Sequence, residues 1–303
     1  MATVNVMSAE DGLLDEGGPR RDSVWVVAGR TFLVNKAATA ALILLALIFL
    51  FCFLGPLLDH TNQTQQLSNS IKNGRPSGSH LLGTDQSGFD IVGRLMVAGQ
   101  LSFEVGFAVA AAVTAIGVIY GAIAGYFGKW LDVAMMRLVD IGLSVPVIFL
   151  FIFVSKIWKP SVGLLILVLT LTVWFIPARL VRGETLSLRT REYVQAVRTM
   201  GGGPIRIILR HIIPNSIGVI IVNATFQLAD TIIILALLSY LGFSIPFPQA
   251  SWGGMLSDGS NLLGNGYWWE VYPALIIIVL TVVCINLIGD ALRDSLDARL
   301  QER

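Results

Sequence analysis

The sequence predicts an all-α membrane protein with about six transmembrane helices, on three observations. Hydrophobic residues make up 54% of the 303 residues and charged residues 14%, against roughly 25% charged in soluble domains. The apolar residues gather into long runs, and crossing a bilayer core of about 30 Å takes about 20 helical residues, because every backbone polar group must be satisfied internally. Lys and Arg fall unevenly between alternate connecting segments, as they do when basic loops are retained on the cytoplasmic side.

The six runs lie near 37–58, 101–125, 134–155, 161–181, 216–242 and 272–292. Before the first is a polar stretch over 1–36 with Glu10, Asp11, Asp15 and Glu16. The apolar run after it begins too late and runs too long for a secretory signal peptide, so it is expected to remain as an anchor. An outer loop over 59–100 leads to a core over 101–292, and a tail over 293–303 closes the chain. Only Lys156 to Pro160 separates the third run from the fourth, and Pro146 and Pro177 are placed to kink these two spans. In the second run Gly117, Gly121 and Gly125 recur every four residues and leave a smooth face that another helix can approach closely.

Orientation follows from the basic residues. With the N-terminus inside, the inner segments hold Arg20, Arg21, Arg30 and Lys36, then Lys129 and Arg137, then seven between Arg179 and Arg210, then Arg293, Arg299 and Arg303. The outer segments hold only Lys72, Arg75, Arg94, Lys156 and Lys159, and Phe243 to Val271 has none. Both termini are therefore expected inside.

Several functions are excluded. A formal net charge of +1 lacks the basic surplus of a nucleic-acid binder. Cys52 and Cys284 sit in apolar runs without metal or redox spacing. No GxxxxGK[ST] phosphate loop occurs, so energy has to come from another chain or from an ion gradient. Without HExxH, and with His211 on an inner loop, an intramembrane protease is disfavoured. Carboxylates within the spans, Glu104, Asp140 and Asp230, are costly in hydrocarbon and mark functional positions. Asn223, Gln227 and Asp230 recur on one side of the fifth span, as residues lining a cavity or bonding a neighbouring helix would.

The inner segment 189–215 reads as helix, tight break, helix. Glu192 to Met200 has no strong breaker, Gly201 to Gly203 can end a helix, and Pro204 suits the first turn of the next. Ile205, Ile208, Leu209 and Ile212 then recur at helical spacing, with Arg206 and Arg210 on another side, as in a helix lying on a membrane or a partner. In the 59–100 segment, Gly83, Thr84, Asp85, Gly88, Asp90 and Arg94 make a turn-rich stretch whose Asp and Thr can cap backbone N–H groups. Asp85 and Asp90 alone fall short of the oxygen ligands a calcium loop supplies.

The order Gln195-Ala196-Val197, then Arg198 and two further residues, Gly201, Pro204, His211 and finally Pro214-Asn215 resembles the cytoplasmic coupling loop of permease subunits of binding-protein-dependent ABC importers. Gln195 stands where that family has an acidic residue, and Val197 replaces its second alanine. The Gly83 to Arg94 segment is similar to one that marks dipeptide and oligopeptide permeases, a group that includes nickel and glutathione transporters; Phe89 replaces a usual Arg. Leu238 to Gly242, then Pro246, Pro248, Ser251, Trp252, Gly253 and Met255, resembles the same subfamily's later outer loop, with Leu235 where Glu is common. Gly289 to Arg299 is similar to its end. The resemblance covers roughly 37–300 and implies the type I ABC importer permease fold, this chain being the second permease of a pair. It further implies a related permease as partner, an extracytoplasmic substrate-binding protein, and two ATP-binding subunits, or one fused, that hold ATP and Mg. This chain itself would bind no cofactor. The rival reading is an ion-coupled secondary carrier using Asp230 or Asp140.

Overall fold

The computed structural model describes residues 24–58, 71–243, 245, 246 and 248–301, and these are helical except for connecting segments and one isolated bridge between Thr84 and Asp90. Part of the expected N-terminal tail is helical: α1 spans Val24–Val34, and residues 1–23 lie outside the described residues. After it comes α2, Lys36–Leu58, started by Asn35, whose Oδ1 accepts from the N–H groups of Ala37 and Ala38.

The central element is α3, Ile91–Phe127. Its 37 residues extend about 55 Å, well beyond the hydrocarbon core. It begins ten residues ahead of the expected second span, so the segment read as an outer loop over 59–100 ends at Asp90, and 59–70 lie outside the described residues. Asp90 caps α3 by accepting from Val92 and Gly93 N–H at 2.8 and 3.1 Å.

Both of the next spans are broken. Helices α4, Lys129–Ser144, and α5, Val147–Ile157, meet at 75°. Pro146 has no N–H to donate back and pushes the preceding Val145 into extended backbone, so the helix cannot continue. Helices α6, Val162–Val173, and α7, Phe175–Leu188, meet at 41° around Trp174. Here Pro177 removes the donor that would have bonded Val173 O, which frees the turn to bend. The two proline kinks read from the sequence are thus present, at the breaks between helices.

Then come α8, Glu192–Thr199, and α9, Pro204–Ile207. A π-helical turn over Ile208–Ile212 leads into α10, Ile213–Asn215. Next are α11, Ile217–Tyr240, a short α12, Trp252–Ser260, and α13, Tyr272–Gln301, which runs through the expected closing tail. Among the described residues, four helices are long and apolar enough to cross a membrane, and up to six spans result if each bent pair counts as one. The chain is a multi-pass membrane protein.

Packing centres on α3. Gly117, Gly121 and Gly125 lie directly on α7: a Cβ at Gly121 would stand 2.3 Å from Ala178 O, and one at Gly125 2.7 Å from Thr185 Cβ. One core gathers α2, α3, α11 and α13 around the buried Trp252, a second fills α3 to α7 around Val113, Phe151 and Leu165, and a third lies under the 189–215 segment.

Candidate functional site

Two regions and one helix face carry the residues singled out in the sequence. In the 189–215 segment, α8 ends in a Schellman motif. Gly201 N–H donates to Arg198 O at 3.1 Å and Gly202 N–H to Val197 O at 2.9 Å. Gly201 holds φ +83°, the left-handed region that glycine enters without strain. Pro204 opens α9 at its first turn. Gln195 Nε2 donates to Arg189 O at 3.0 Å and so closes α8 back onto the end of α7.

The expected apolar face of the second piece is split. Ile207, Ile208 and Ile212 are buried with Val194, whereas Ile205 and Leu209 are exposed together with Tyr193 and Met200. The π turn over Ile208–Ile212 is the physical reason: a wider turn takes in an extra residue and rotates the chain beyond it, so the 3.6-residue spacing does not hold here. His211 sits half-buried in that turn and its carbonyl accepts from Asn215 Nδ2 at 2.5 Å, next to Pro214, which has no N–H of its own to give. The hairpin is thereby anchored through Val194, Ile207 and Ile212 onto Ala122, Val181 and Ile220, and presents Gln195, Ala196, Arg198, Ile205 and Leu209 outward.

In the sequence Arg189 is one basic residue among several, yet its Nη1 donates to Gly125 O at 2.8 Å and Tyr126 O at 3.3 Å. A cation there satisfies the last carbonyls of α3 and complements the negative end of the helix. Arg179 and Arg182, of the same basic group, stand inside α7. Arg182 forms a doubly bonded pair with Asp132 of α4 at 2.5 and 2.6 Å, and Arg179 Nη2 donates to Asp140 Oδ1 at 2.6 Å.

At the other end, the segment before α3 and the segment before α12 close on each other. Gly83, at φ +79°, lies so near Gly74 O that a Cβ would come to 2.3 Å. Thr84 Oγ1 donates to Ile71 O and accepts from Gly74 N–H at 2.8 Å. Asp85 Oδ1 accepts from the N–H groups of Ser87 and Phe89, and Gly88 turns the chain at φ +84°. Both Asp90 oxygens are engaged, one in capping α3 and the other with His80 Nδ1 at 2.7 Å. Arg94 bridges the segments: its guanidinium lies 4.9 Å from the Phe89 ring centroid and 3.7 Å from Asp85 Oδ2, and Nη1 donates to Pro248 O at 2.7 Å. Phe89, where a cation is usual in the resembling subfamily, instead supplies an aromatic floor for Arg94.

From the far side, Trp252 Nε1 donates to Leu95 O at 3.0 Å, Ser251 caps α12 through Gly254 N–H, and Gly253 lets α12 sit on α11, where a Cβ would meet Ala236 O at 2.0 Å. Between these parts is a cavity of about 440 Å³ lined by Asp85, Arg94, Ser239, Ser251 and Asp258. Burial pushes the Asp258 carboxyl above its ordinary range; the Arg94 charge opposes this shift and the Asp85 charge adds to it. Asp258 carries no sequence signal, because a lone Asp in a Gly-rich loop has no periodicity to place it.

On α11 the three polar residues have different surroundings. Gln227 is only 4% exposed, Asn223 is half-buried and Asp230 is exposed.

Replacing Asp90 by Ala removes the α3 cap and the His80 contact together, and a loss of about 1–2 kcal/mol is expected. It would be read as a lower melting temperature of the purified chain; an unchanged value would refute the capping role.

The helical layout and these two loops accompany a match, over residues 117–302, to the family described as binding-protein-dependent transport system inner membrane component. The chain belongs to this family. Residues 23–76 further match a family described as the N-terminal TM domain of oligopeptide transport permease C. Among the chain's relatives, the oligopeptide transport system permease protein OppC of Haemophilus influenzae is 38% identical over 278 residues, covering 91% of this chain and 89% of its own length. The dipeptide transport system permease protein DppC of Bacillus subtilis is 37% identical over 274 residues, covering 90% and 85%. The OppC of Escherichia coli is 38% identical over 279 residues, covering 91% and 92%.

Proposed function

We propose that this chain is one permease subunit of an ATP-driven importer for oligopeptides or dipeptides, paired with a second homologous permease. The observation that carries the reading is the hairpin of α8 and α9. It is rigidly rooted in the helix bundle, yet turns Tyr193, Met200, Ile205 and Leu209 outward, in a chain that has no phosphate loop of its own. Exposed apolar residues on an anchored, glycine-broken hairpin suit a partner that pushes on it. The partners are two ATP-binding subunits, or one fused, which hold ATP and Mg; this chain binds neither. An extracytoplasmic substrate-binding protein docks at the opposite end, where the largely buried Gly83 to Arg94 and Ser251 to Gly253 segments pack together and hold the outer loops in place. The protein resides in the cytoplasmic (inner) membrane, among lipid, with both termini cytoplasmic.

ATP binding closes the partner subunits, the hairpin around Gly201 carries their motion into α7 and α11, and the permease pair switches between inward-open and outward-open. Gly201→Trp tests this cleanly. A Cβ at Gly201 meets nothing within 4 Å, so the indole projects away from the bundle and its cost to the fold is confined to about 1–2 kcal/mol of backbone strain. ATP-dependent uptake is expected to fall at least about tenfold, the equivalent of one docking contact, at an unchanged membrane level of the chain. Full uptake in Gly201→Trp would refute the coupling role. Gentle solubilisation of the tagged chain should recover a second permease and an ATP-binding subunit; a lone chain that moves solute without ATP would point to an ion-coupled carrier instead.

A further inference from the structure

We infer that the cavity walled by the segment before α3, the turn at Pro160 and α12 is a receptor pocket for one basic side chain, Lys or Arg, of the extracytoplasmic binding protein. The inference rests on the importer reading and adds to it the chemistry of a docking contact.

The walls place the pocket. All three segments that the basic residues assign to the outer side reach it: Asp85 from the first, Pro160 from the second, and Gln249 and Asp258 from the third, beside Ser239 at the end of α11. Gln86, Gln249 and Asp258 stand exposed at its rim, while Arg94, Ser239, Ser251 and Met255 are buried. The buried side ends against packed side chains, since Met255 belongs to the core around Trp252 and Ile245 packs on the core around Phe151. Such a blind pocket suits a side chain that enters and withdraws with its own protein better than a solute in passage.

Charge defines what fits. Arg94 is engaged by Asp85 Oδ2 at 3.7 Å, by the Phe89 ring and by Pro248 O. Asp258 makes no ion pair among the described residues. Partial burial and the Asp85 charge both work against its ionised form, and Arg94 offsets them only in part. Two carboxylates thus share one guanidinium, and one further monovalent cation brings the sum to zero. The loop that carries Asp258 offers none, because residues 243–271 contain neither Lys nor Arg. Lys159, next to Pro160, is exposed and forms no ion pair.

A second observation, independent of the charges, points to a ligand. Ser239 is 3% exposed, lines the pocket, and its Oγ has no hydrogen-bond partner. A serine inside a helix can bond back to the carbonyl four residues earlier, and Ser102, Ser216 and Ser295 do so here. A buried hydroxyl without a partner is costly, and an ammonium or guanidinium N–H would satisfy it. The volume of about 440 Å³ is that of a small-ligand pocket, about 300–1,000 Å³, and larger than a bare ion fills. The described residues include no group of three His, Cys, Asp or Glu side chains suited to a metal ion. Ile245, Pro246 and Met255 give an apolar wall along which the stem of a Lys or Arg lies while its head reaches Asp258.

The test uses the full importer in nanodiscs with the binding protein that purifies with it, and reads their affinity as salt is raised. Asp258→Asn is expected to weaken docking about tenfold at low salt and to flatten the salt dependence. Ser239→Ala should weaken docking about fivefold without lowering the melting temperature, since the hydroxyl holds nothing in the free chain; a serine with a structural role would do the reverse. Either variant docking at wild-type strength overturns the pocket. Replacing the surface Lys and Arg residues of the binding protein one at a time by Gln should find one whose loss weakens docking to wild type about tenfold and to Asp258→Asn hardly at all. Additive losses at every position refute the contact. Two other occupants would show themselves differently, and each overturns the inference. Intact docking with slowed uptake of a free tripeptide but not of its N-acetylated form would put the peptide's ammonium in the pocket, and loss of the second permease on purification would put a cation of that subunit there. All these outcomes leave the importer reading standing; it fails separately if neither a binding protein nor an ATP-binding subunit accompanies the wild-type chain.

Discussion

Gly121→Val is expected to unseat α7 from α3 and to cost at least about 3 kcal/mol, the upper end of what overpacking does. The reason is the nature of the obstacle. A Cβ at Gly121 would stand 2.3 Å from Ala178 O and 2.8 Å from Arg182 N, both backbone atoms that no rotamer change can move. Gly117 and Gly125 are pressed in the same way against Pro177 and Thr185, so the two helices cannot slide along each other to relieve the clash. The check is the thermal transition of the purified protein in mild detergent, with Gly183→Ala as the control. Gly183 lies on the same α7 with nothing within 4 Å of its Cβ, and the gain in helix propensity there is about 1 kcal/mol. A Gly121→Val protein that melts with wild type would show that α3 and α7 are not held by close backbone contact. Because α7 leads directly into the hairpin that Arg189 ties to the end of α3, loosening this contact should also uncouple transport.

The glycine row is legible in the sequence because a four-residue repeat in an apolar run has few meanings, and the structure fills it with a helix. The spans are legible for the same reason: hydropathy over 20 residues reports burial from water whatever the neighbours are. Hydropathy cannot report where a long helix stops being a span. Thus α3 reaches back to Ile91, since Asp90 as a cap and the buried Ile91, Leu95 and Ala98 extend the helix through residues whose loop-like spacing of Gly, Thr and Asp suggests irregular chain. The glycine break of the hairpin can be read directly, being a local property of Gly201 and Pro204. Its apolar face cannot, because a π turn changes the period and is set by where Ile207, Ile208 and Ile212 find room under α8. Ion pairs such as Asp132 with Arg182 join residues 50 apart in the chain, and one sequence has no signal for them: each charge looks like an ordinary member of a basic loop or a helix end.

That pair gives the second large effect. Asp132→Ala is expected to destabilise the protein by about 3 kcal/mol, because it leaves the Arg182 guanidinium partly buried without its carboxylate. The side chain of Arg182 is 31% exposed, so water recovers part of the loss and the value belongs at the low end for broken ion pairs. Asp132→Leu combined with Arg182→Leu should recover much of the stability, since removing both charges also removes the cost of keeping them out of water, whereas removing one keeps that cost and deletes its compensation. The melting temperatures of the single and double variants decide the point: a double variant no more stable than Asp132→Ala would mean that the charges act through something other than each other. The same comparison at Asp140 and Arg179 should give a different pattern. Their side chains are half-exposed, so Asp140→Asn is expected to shift stability by less than about 1 kcal/mol. Two ion pairs on one pair of helices are thereby set apart by exposure: the enclosed pair fixes α4 to α7, and the open pair, whose charges water already solvates, adds little to that tie.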